Sequence, residues 1–539
     1  MTKDETLPVL IVGAGPTGMT AALALARYDI PSIIVDQDNK LSDGSRAIAY
    51  HHSTLAVWEK LGVGAPILAK GIVWNTRQTF LGEKKLYTQS FLLEHSALLP
   101  RFLNLQQYYL EAFLLERIQS EPLITLHWEH KVVGFTETEA AIQLEIETHN
   151  GTSQLTGTYA LACDGARSSM RNLLDLDFPG STFDDLFLIV DIKADLDDKH
   201  EPRFYFDHPA HAGPSVLIHP QPDGVWRIDW QIGAHVDIEA ECSPEKMDAR
   251  IRAIIGEIPY EIVWLSHYRF HQRLLDEFKH GRVIFVGDSA HLVAPFGARG
   301  LNSAVLDTEN LVWKLVLVLH NKALETLLNS FQAECWPAQK ENQRVTINTM
   351  EFMAPNTKSL LWRKNFVLWL NRFWAGARQW VDSGKMVQPF TYTDSPLNQQ
   401  DVARETWTHS LPLGARVDDV IVEIVRGGVL GESPLRHLLG DTFVFFAFVQ
   451  DAAQAEDLLA QFNKLRFKIP AKLYPILPDT PTEYFGNDVL MIDGNSNLQK
   501  RFDGKLGTVY VVRPDRHVVA RRRNTQPEDW DELLQRICS

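Results

Sequence analysis

Apolar and polar positions follow two different periods in the first part of the chain. The apolar run LPVLIVGA predicts a buried strand, PTGMTAALALARYD predicts a helix, and PSIIVDQ predicts a second strand. These elements form one βαβ unit, which is typical of an α/β fold with a parallel sheet.

Strand patterns dominate the middle of the chain. Alternation from about 130 to 160 predicts an antiparallel meander, and a second strand-rich stretch extends from about 185 to 235. The strand GRVIFVGD at 281–288 and a long helix from about 301 to 320 then return to the α/β pattern of the start. The sequence therefore predicts a sheet region inserted between two parts of one α/β domain.

The last quarter of the chain has its own α/β pattern. The stretch 383–401 is polar, contains two prolines and lacks periodicity, so it predicts a linker. Strands such as DTFVFFAFVQ and GTVYVVRPDRHVVARR follow, together with the helices AAQAEDLLAQFNKL and EDWDELLQRI. We expect a separate compact α/β domain over 400–539.

Composition and charge narrow the class of protein. A length of 539 residues exceeds what one hydrophobic core ordinarily supports, so we expect two or three structural units. The hydrophobic content of 45% is typical of a globular protein. The net charge of -15 disfavours nucleic acid as the main partner. The four cysteines, Cys163, Cys242, Cys335 and Cys538, form no CxxC pair and indicate neither a zinc site nor a disulfide framework.

The N-terminus and the apolar runs of the chain bear on its localisation. The N-terminus lacks the pattern of a secretion signal and no apolar run is long enough to span a bilayer, so we expect a cytoplasmic protein without stable membrane association. The most apolar segment, 360–381, is interrupted by arginine and lysine. We interpret it as an amphipathic helix packed on the protein, with a membrane-surface helix as the alternative.

The first chemical motif is a glycine-rich turn between the first predicted strand and helix. Gly13 permits the tight turn, Gly15 lets a pyrophosphate approach the backbone, and Gly18 lets the helix pack on the strand. The helix N-terminus adds amide donors for phosphate. The residues predicted to bind the dinucleotide here are Gly13, Gly15, Pro16, Thr17, Gly18 and, at the end of the next strand, Asp36 for the ribose. This motif does not separate FAD from NAD.

A second motif separates FAD binding from NAD binding. The strand VIFVG is followed by GDSAH, then by APFGARGLN and a helix ending in WKL. Here the chain resembles the class A flavoprotein aromatic hydroxylases, the group of p-hydroxybenzoate, phenol and 3-(3-hydroxyphenyl)propionate hydroxylases. The resemblance implies that Asp288 holds the ribityl chain of FAD. It also implies that backbone amides around Gly300, Leu301 and Asn302 face the N1/O2 edge of the flavin, where a helix N-terminus stabilises negative charge.

Further cofactor residues follow from the same resemblance. The turn CDGARSSMR resembles the family's DG motif, which implies that Asp164, Gly165 and Arg167 lie near the flavin pyrophosphate and the NAD(P)H site. Arg46 corresponds to an arginine that contacts the flavin. Gln107 corresponds to a glutamine on the adenylate side, with Gln106 as the alternative register.

The sequence departs from the family pattern at two places in the loop after GDSAH. Ala294 stands where the family has the first of two prolines, and GAxG replaces GGxG at Gly297. A GAxG variant occurs in the hydroxyphenylpropionate branch, so we still expect FAD. No second GxGxxG is present, so NAD(P)H would meet the flavin transiently at the surface.

The resemblance also implies an architecture. We expect a Rossmann-like FAD-binding domain of the glutathione-reductase type in two parts, 1–180 and 276–395. A substrate-binding sheet domain at 181–275 would lie between these parts in sequence. The C-terminal domain at 400–539 resembles the thioredoxin-like appendage of phenol hydroxylase relatives. Because it lacks CxxC it cannot perform dithiol exchange, which favours a structural or dimer-interface role.

The implied activity is hydroxylation of a small, phenolic aromatic compound with NAD(P)H and O2 as co-substrates. In the family NAD(P)H reduces FAD, and O2 then forms a C4a-hydroperoxide whose distal oxygen attacks an electron-rich ring carbon. The protein must orient the ring, exclude water and place a base or hydrogen-bond acceptor near the substrate hydroxyl. No metal is expected.

The family places the substrate between the second sheet and the flavin, so the strands within 185–235 should line the pocket. Pro295 is expected near flavin C4a through its backbone carbonyl. The other candidate catalytic or substrate-binding residues are Arg203, Tyr205, His219, Arg227, Trp230, Gln231 and His52.

Other functions stay open at this point. A flavoprotein of the same fold could act on a non-phenolic or quinone-like substrate, whereas the WxWxIP signature of flavin halogenases is absent. A flavin-binding protein without turnover is a second alternative, and a scaffold acting through its thioredoxin-like domain is a third. A homodimer is the assembly left open.

Overall fold

The computed structural model describes residues 7–538 apart from 42, 43, 45, 93, 94, 96, 97, 197–200, 209–212, 214, 235, 356, 372, 383, 403, 404, 409, 482–485 and 487. The chain divides into two compact units. The first comprises Met1–Leu93, Leu99–Thr308 and Gln339–Gln388, and the second comprises Glu94–Leu98, Glu309–Ala338 and Pro389–Ser539.

The strands of the first unit are β1 (Val9–Val12), β2 (Ser32–Val35), β3 (Ala49–His51), β4 (Ile72–Val73), β5 (Thr76–Leu81), β6 (Lys84–Ser90), β7 (Phe102–Asn104), β8 (Ile124–His127), β9 (Lys131–Glu137), β10 (Ile142–Thr148), β11 (Gly151–Gly157), β12 (Ala160–Ala162), β13 (Gly180–Ala194), β14 (Arg203–Phe206), β15 (Ser215–Gln221), β16 (Val225–Gly233), β17 (Tyr260–Leu274), β18 (Lys279–His280), β19 (Val283–Phe285) and β20 (His291–Leu292). Those of the second unit are β21 (Ile421–Arg426), β22 (Val429–Pro434), β23 (Phe443–Phe448), β24 (Ala471–Leu477), β25 (Leu490–Ile492), β26 (Thr508–Val512) and β27 (Val518–Arg523).

The α-helices are α1 (Pro16–Ala26), α2 (His52–Lys60), α3 (Gly64–Lys70), α4 (Gln107–Gln119), α5 (Ser169–Leu173), α6 (Ile238–Glu241), α7 (Pro244–Ile255), α8 (Gly300–Leu319), α9 (Asn329–Met353), α10 (Lys358–Leu370), α11 (Ala452–Lys464), α12 (Asn497–Phe502) and α13 (Glu528–Cys538). Among the described residues, no helix combines the length and the apolar character needed to cross a membrane.

A mostly parallel sheet organises the first unit, in the order β18-β19-β12-β1-β2-β8. Its central strand β1 is completely buried, as expected for a strand covered on both faces. β19, β12, β1, β2 and β8 run parallel, so their carboxyl ends meet at one edge. The predicted βαβ unit and the predicted meander, formed by β9, β10 and β11, are both confirmed.

The second sheet of this unit has the order β20-β17-β13-β16-β15-β14-β5-β6. Alternation along its strands separates two faces. On one face Leu188 and Ile228 join a core with Ile251 of α7. On the other face Phe187 and Phe204 pack in a core with Phe270, Phe296 and Met350. The hairpin of β5 and β6 extends this sheet beyond the strand-rich stretch that the sequence pattern indicated.

The sheet of the second unit has the order β22-β21-β25-β24-β23-β26-β27. β23 and β24 are parallel and lie on either side of α11 in sequence, whereas β26 and β27 are antiparallel to their neighbours. Every residue of β23 is buried. α13 packs on this sheet, with the Trp530 ring stacked on Phe445 at 4.8 Å between centroids. The predicted C-terminal α/β pattern is thus present.

A buried network of charges also lies within the second unit. Lys314 donates to a carboxylate oxygen of Glu334 at 2.7 Å, and Arg513 pairs with both Glu334 and Asp515. Asn310 donates to the same oxygen of Glu334 at 2.7 Å. Each charge is therefore paired and hydrogen-bonded, which is the condition for burying charge without a large penalty.

Candidate active site

The carboxyl ends of four neighbouring strands bring the predicted cofactor residues together. In the order β19, β12, β1 and β2, these strands lead into Asp288, Asp164, Gly13 and Asp36. Residues placed at the carboxyl ends of parallel strands form the usual ligand crevice of an α/β sheet. Three motifs that are more than a hundred residues apart in sequence thus share one edge.

The glycine turn has the geometry that a dinucleotide needs. Gly13 has a φ of +107°, and a Cβ there would lie 2.5 Å from the carbonyl oxygen of Cys163. A Cβ on Gly18 would lie 2.1 Å from the Gly13 carbonyl oxygen, so helix and strand are in close contact. Around Gly15, by contrast, no atom of the described chain other than Gly15 and its two chain neighbours lies within 4 Å of the Cβ position. The turn therefore leaves an open cradle at Gly15, where α1 begins with Pro16 and Thr17.

Asp36 lies against this turn. Its Oδ2 accepts from the Ala14 amide at 2.6 Å, and its Oδ1 accepts from the Asp38 amide at 2.9 Å. Burial raises the pKa of Asp36, and the two amide hydrogen bonds oppose that shift. The carboxylate thus fixes the glycine turn and remains half-buried beside the cradle.

The DG motif presents a polar atom that lacks a partner. Asp164 Oδ2 accepts from the Ser169 hydroxyl at 2.9 Å and from the Met170 amide at 3.1 Å. Its Oδ1 is buried and has no hydrogen-bond partner among the described residues. A buried acceptor without a donor is costly, so a bound ligand that donates would stabilise this site. Gly165 follows with a φ of +74° and open space around it, and Arg167 is exposed.

The GD motif joins the starts of two helices. Gly287 has a φ of +71°, and a Cβ there would lie 3.0 Å from the hydroxyl of Thr17 in α1 and 3.2 Å from Ala304 in α8. The first amides of a helix have no acceptor within it and carry a partial positive charge. Gly300 and Leu301 begin α8, so two such helix ends meet at this edge.

Asp288 follows directly and projects from this edge. Its side chain is exposed to solvent although protein surrounds it on most sides, which is the environment of a cleft wall. Burial raises the pKa of Asp288, whereas His291 and Arg46 lower it. Arg46 is exposed and lies close enough for this electrostatic effect.

Asn302 and the two glutamines have structural partners. Asn302 Oδ1 accepts from the His51 amide at 2.8 Å, and Nδ2 donates to the carbonyls of Ala49 and Ala298. The Asn302 side chain therefore positions the start of α8 and leaves its backbone for a ligand. Gln107 Oε1 accepts from the Ala47 amide at 3.0 Å, beside Arg46. Gln106 is fully buried and donates to Pro222 O at 3.3 Å.

The loop between the GD motif and α8 faces the second sheet. Pro295 is exposed, and its carbonyl accepts from the Ala298 amide at 3.0 Å. The neighbouring Phe296 contacts Phe187 of β13, with 5.5 Å between ring centroids. Arg299 is buried and donates to Asn342 and to the Lys385 carbonyl, and burial lowers its pKa to about 10.

The sheet face that carries Phe187 also carries a row of polar residues. Register places Gln231 opposite Phe187, and Arg227 opposite both Asp191 and His219. Alternation puts Asp229 on the same face as Arg227 and Gln231. Arg227 donates to both oxygens of Asp191, at 2.8 and 3.1 Å, and to the carbonyl of Arg46 at 2.9 Å.

Two groups of this face have unpaired polar atoms. Asp229 Oδ1 and His219 Nδ1 are buried and have no hydrogen-bond partner in the part of the chain that the structure describes. Burial raises the pKa of Asp229 to about 7; Arg227 opposes that shift and Asp191 adds to it. Burial, Arg227 and Arg77 lower the pKa of His219 to about 3, so this imidazole is neutral. An acidic group with a pKa near 7 is suited to proton transfer.

Sequence reasoning missed Asp229, which did not stand among the candidate residues. The signal that could have found it is the alternation in VWRIDWQIG, which places Asp229 between Arg227 and Gln231 on one face.

Of the remaining substrate candidates in the described chain, Gln231 shares a face with this row, whereas Trp230, Tyr205, Arg203 and His52 do not. Trp230 is buried in the core under α7, on the opposite face. Tyr205 belongs to that face too and stacks on Phe80 at 4.5 Å, and Arg203 shares its side of β14 by alternation. Gln231 is on the polar face but is fully buried between Ser215 and Asp185. His52 lies elsewhere, with its Nε2 3.1 Å from a guanidinium nitrogen of Arg101.

Comparison with known proteins decides which dinucleotide this chain binds. Residues 6–346 match the family described as FAD binding domain. The chain belongs to this family. The resemblance indicated by the sequence motifs is therefore confirmed, and the choice between FAD and NAD, which the glycine motif left open, is decided in favour of FAD.

Relatives of this FAD-binding protein include named monooxygenases. It is 28% identical over 337 residues to para-nitrophenol 4-monooxygenase of Pseudomonas sp. (strain WBC-3), covering 61% of this chain and 83% of that protein. It is 25% identical over 537 residues to a 3-(3-hydroxy-phenyl)propionate/3-hydroxycinnamic acid hydroxylase of Mycolicibacterium gilvum (strain PYR-GCK), covering 96% and 90%.

Solved structures share the fold along the whole chain. The flavin-dependent monooxygenase PieE, in complex with FAD and substrate, aligns with a TM-score of 0.78 at 20% identity and covers all of both chains. Aklavinone-11 hydroxylase, in a ternary complex with FAD and aklavinone, aligns with a TM-score of 0.75 at 21% identity, again over both whole chains. The predicted α/β fold with an FAD-binding domain is confirmed.

The residues of this FAD-binding protein fit the cofactor that the family binds. Open space at Gly15, beside the first amides of α1, suits a pyrophosphate. The unpaired Oδ1 of Asp164 accepts hydrogen bonds, and the exposed Asp288 carboxylate offers acceptors for the hydroxyl groups of a ribityl chain.

Proposed function

We propose that this chain is an FAD-dependent monooxygenase that hydroxylates a small, phenolic aromatic compound with NAD(P)H and O2. One observation carries the proposal: the sheet edge that holds the cofactor motifs leads, through the Pro295–Phe296 loop, to a sheet face on which Asp229 has a pKa of about 7. Its Oδ1 has no hydrogen-bond partner among the described residues. The names of the relatives, which include a nitrophenol monooxygenase and a hydroxyphenylpropionate hydroxylase, support the same reaction class.

The cofactor residues that we assign surround the edge described above. Bound FAD would supply hydride acceptance from NAD(P)H and activation of O2. The chain's own residues bind the cofactor through backbone amides, carboxylates and Arg46. The assigned residues are Gly13, Gly15, Pro16, Thr17, Gly18, Asp36, Arg46, Gln107, Asp164, Gly165, Arg167, Asp288, Pro295, Gly300, Leu301 and Asn302.

Asp229 is the residue that we assign as the base for the substrate hydroxyl. At neutral pH its carboxylate and carboxyl forms are both populated, so it can accept the phenolic proton at Oδ1 and release it again. Removing that proton raises the electron density of the ring. The neutral His219, next to Arg227 in the sheet, can donate or accept a hydrogen bond and so orients the same hydroxyl.

The domain assignment continues the sequence prediction. We assign FAD binding to 1–180 and 276–395, and substrate binding to 181–275 with the hairpin of β5 and β6 added. The part of the second unit at 400–539 is assigned as thioredoxin-like. Its parallel pair β23 and β24 around α11, followed by the antiparallel β26 and β27 and by α13, supports this assignment.

Two further assignments concern surroundings and assembly. We place the protein in the cytoplasm, where the four cysteines, all free, remain reduced. A homodimer remains the assembly to test.

The test combines cofactor content with turnover. The purified protein is examined for flavin absorbance, and NADH and NADPH oxidation is then measured with a panel of phenols while products are identified by mass. Oxidation stimulated by one phenol, with one oxygen atom added to the ring, supports the proposal. A protein that FAD cannot reconstitute overturns it, and bound flavin without any aromatic-dependent turnover points to the flavoprotein without turnover instead.

A further inference from the structure

Helix α10 is apolar on two opposite sides. Its inner side is packed on the protein, where Val367 and Leu368 are buried. Its outer side carries Trp362, Phe366 and Trp369, and Phe373 follows three residues after the helix ends. We call these four residues the aromatic stripe; all four are exposed, Trp362 by 68% and Phe373 by 72%. A helix that is apolar all round is ordinarily covered on both sides. The sequence predicts a helix packed on the protein. This describes the inner side of α10, whereas its outer side is exposed.

The aromatic stripe is continuous. Positions 362, 366 and 369 recur at the spacing of one helix face, and Phe373 continues the series past the end of α10. Their rings follow one another at 5.3, 6.1 and 5.2 Å between centroids. Trp374 and Trp380, both 51% exposed and 5.3 Å apart, extend the apolar surface beyond the helix. An exposed apolar patch of this extent marks a binding surface.

The charge of the same segment differs from that of the rest of the chain. Residues 352–381 include five basic residues, Lys358, Arg363, Lys364, Arg372 and Arg378, and no aspartate or glutamate. The whole chain has a net charge of -15. Lys358 and Arg363 are exposed beside the aromatic stripe. Lys364, in contrast, is buried and pairs with Asp207. Among the described side chains, Lys358 and Arg363 thus place positive charge beside the stripe on a protein whose net charge is negative.

We propose that the aromatic stripe of α10 and its basic flanks dock on the surface of an anionic phospholipid bilayer. Trp and Phe on one side of a helix with Lys and Arg beside them is the pattern of helices that lie in the membrane interface. The helix has 13 residues, too few to span a bilayer, so it lies on the surface.

Charge argues for lipid over a second copy of the chain. In a two-fold dimer through α10, the basic flanks of both copies would face each other, because the same patch is used twice. Anionic headgroups instead attract each exposed Lys and Arg. The proposal does not depend on the proposed enzymatic function.

The experiment is co-sedimentation of the full-length protein with lipid vesicles. Mixed phosphatidylcholine and phosphatidylglycerol vesicles are compared with vesicles of phosphatidylcholine alone, and sedimentation velocity without lipid reports the oligomeric state. The wild type is expected to sediment with the anionic vesicles and to be released partly by salt. Trp362→Ala with Trp369→Ala, and separately Lys358→Glu with Arg363→Glu, should each weaken binding about tenfold or more.

A matched control replaces exposed apolar residues elsewhere. Val429→Ala with Leu430→Ala removes side chains that are 70% and 52% exposed on β22, and these substitutions should leave vesicle binding unchanged. Wild type that stays in solution with anionic vesicles overturns the proposal. So does a wild-type dimer that the aromatic substitutions convert to monomer without any binding to lipid, because a second copy would then cover the stripe.

Discussion

Arg227 and Asp191 form a buried ion pair across two neighbouring strands, with both carboxylate oxygens accepting, at 2.8 and 3.1 Å. The charge of Arg227 is thereby largely neutralised. The Oδ1 of Asp229, two residues further along the same strand, is buried and has no hydrogen-bond partner within the described part of the chain. Burial raises the pKa of Asp229 to about 7 against the opposing effect of Arg227. The ion pair thus leaves a carboxyl group with a pKa of about 7 on the face that we assign to the substrate.

Asp229→Asn should remove the proposed base. We expect kcat/KM for the phenolic substrate to fall by about 10²–10⁴-fold near neutral pH. In the wild type the active form is the carboxylate, so activity should rise with pH through about 7, the pKa of Asp229. The variant should lose this inflection and recover activity only as pH approaches the pKa of the phenol itself, roughly 10 for a simple phenol. Initial rates across pH measure both effects.

The control for this substitution is Glu257→Gln, which removes a carboxylate whose side chain is 94% exposed. It should leave the pH profile unchanged. An Asp229→Asn enzyme with the wild-type profile would show that another group accepts the proton.

Two neighbouring glycines should respond differently to a methyl group. Gly15 has a φ of -74°, which any residue adopts, and open space around its Cβ position. Gly15→Ala should therefore fold normally but weaken FAD binding by about tenfold or more, because the methyl group enters the space assigned to the pyrophosphate. Gly13→Ala should lower stability itself, since its φ is +107° and the Cβ would lie 2.5 Å from Cys163 O.

Thermal unfolding of the FAD-free variants and titration with FAD separate these two effects. The prediction requires that Gly15→Ala melt with the wild type and differ only in FAD affinity. Equal loss of stability in both variants would contradict the open cradle at Gly15.

The strand ends at the edge to which we assign FAD binding could be predicted from sequence, because each motif ends an apolar run. Gly13, Asp164 and Asp288 all follow buried strands, and parallel strands bring their carboxyl ends together. The second sheet was harder to predict. Arg227, Asp229 and Gln231 share a face by simple alternation, and the same rule separates Trp230 from them. Trp230 was a candidate because of its residue type. Its position in the alternation, however, places it in the core.

Other features could not be obtained from local sequence. The pairing of β14 with β5 joins residues more than a hundred positions apart, and β5 has no signal that distinguishes this partner from others. The raised pKa of Asp229 depends on how deeply the folded chain surrounds it. The exposure of one face of α10 could not be predicted either. Apolar periodicity shows which residues share a face, but it does not show whether another element covers that face.

Asn302→Ala tests whether a residue whose side-chain amide is hydrogen-bonded within the protein can control FAD affinity. The substitution leaves the His51 amide and the carbonyls of Ala49 and Ala298 without their partner at the start of α8. We expect FAD to bind about tenfold or more weakly, because the amides of that helix end lose their fixed position. Ser303→Ala, which removes a hydroxyl that donates to the carbonyls of Arg299 and Gly300, is the control. Equal FAD affinity in Asn302→Ala and wild type would contradict a positioning role.

Glu334 should contribute stability to the second unit in a defined pH range. Burial raises the pKa of Glu334, but Arg513 and Lys314 outweigh it and lower the pKa to about 2. A group whose pKa is lower in the folded state stabilises the fold above its unfolded value, and this contribution is lost as pH falls. The unfolded value is 4.5, so stability should decrease from about pH 4.5 towards pH 2.

Glu334→Gln leaves two buried cations with one fewer carboxylate, and should cost about 3–5 kcal/mol. The variant should also lose most of the acid-dependent decrease between those pH values. Denaturant unfolding at a series of pH values measures both quantities, with Glu456→Gln, an exposed carboxylate on α11, as the control that should change neither. A Glu334→Gln protein as stable as the wild type at neutral pH would show that Asp515 alone compensates Arg513 and Lys314.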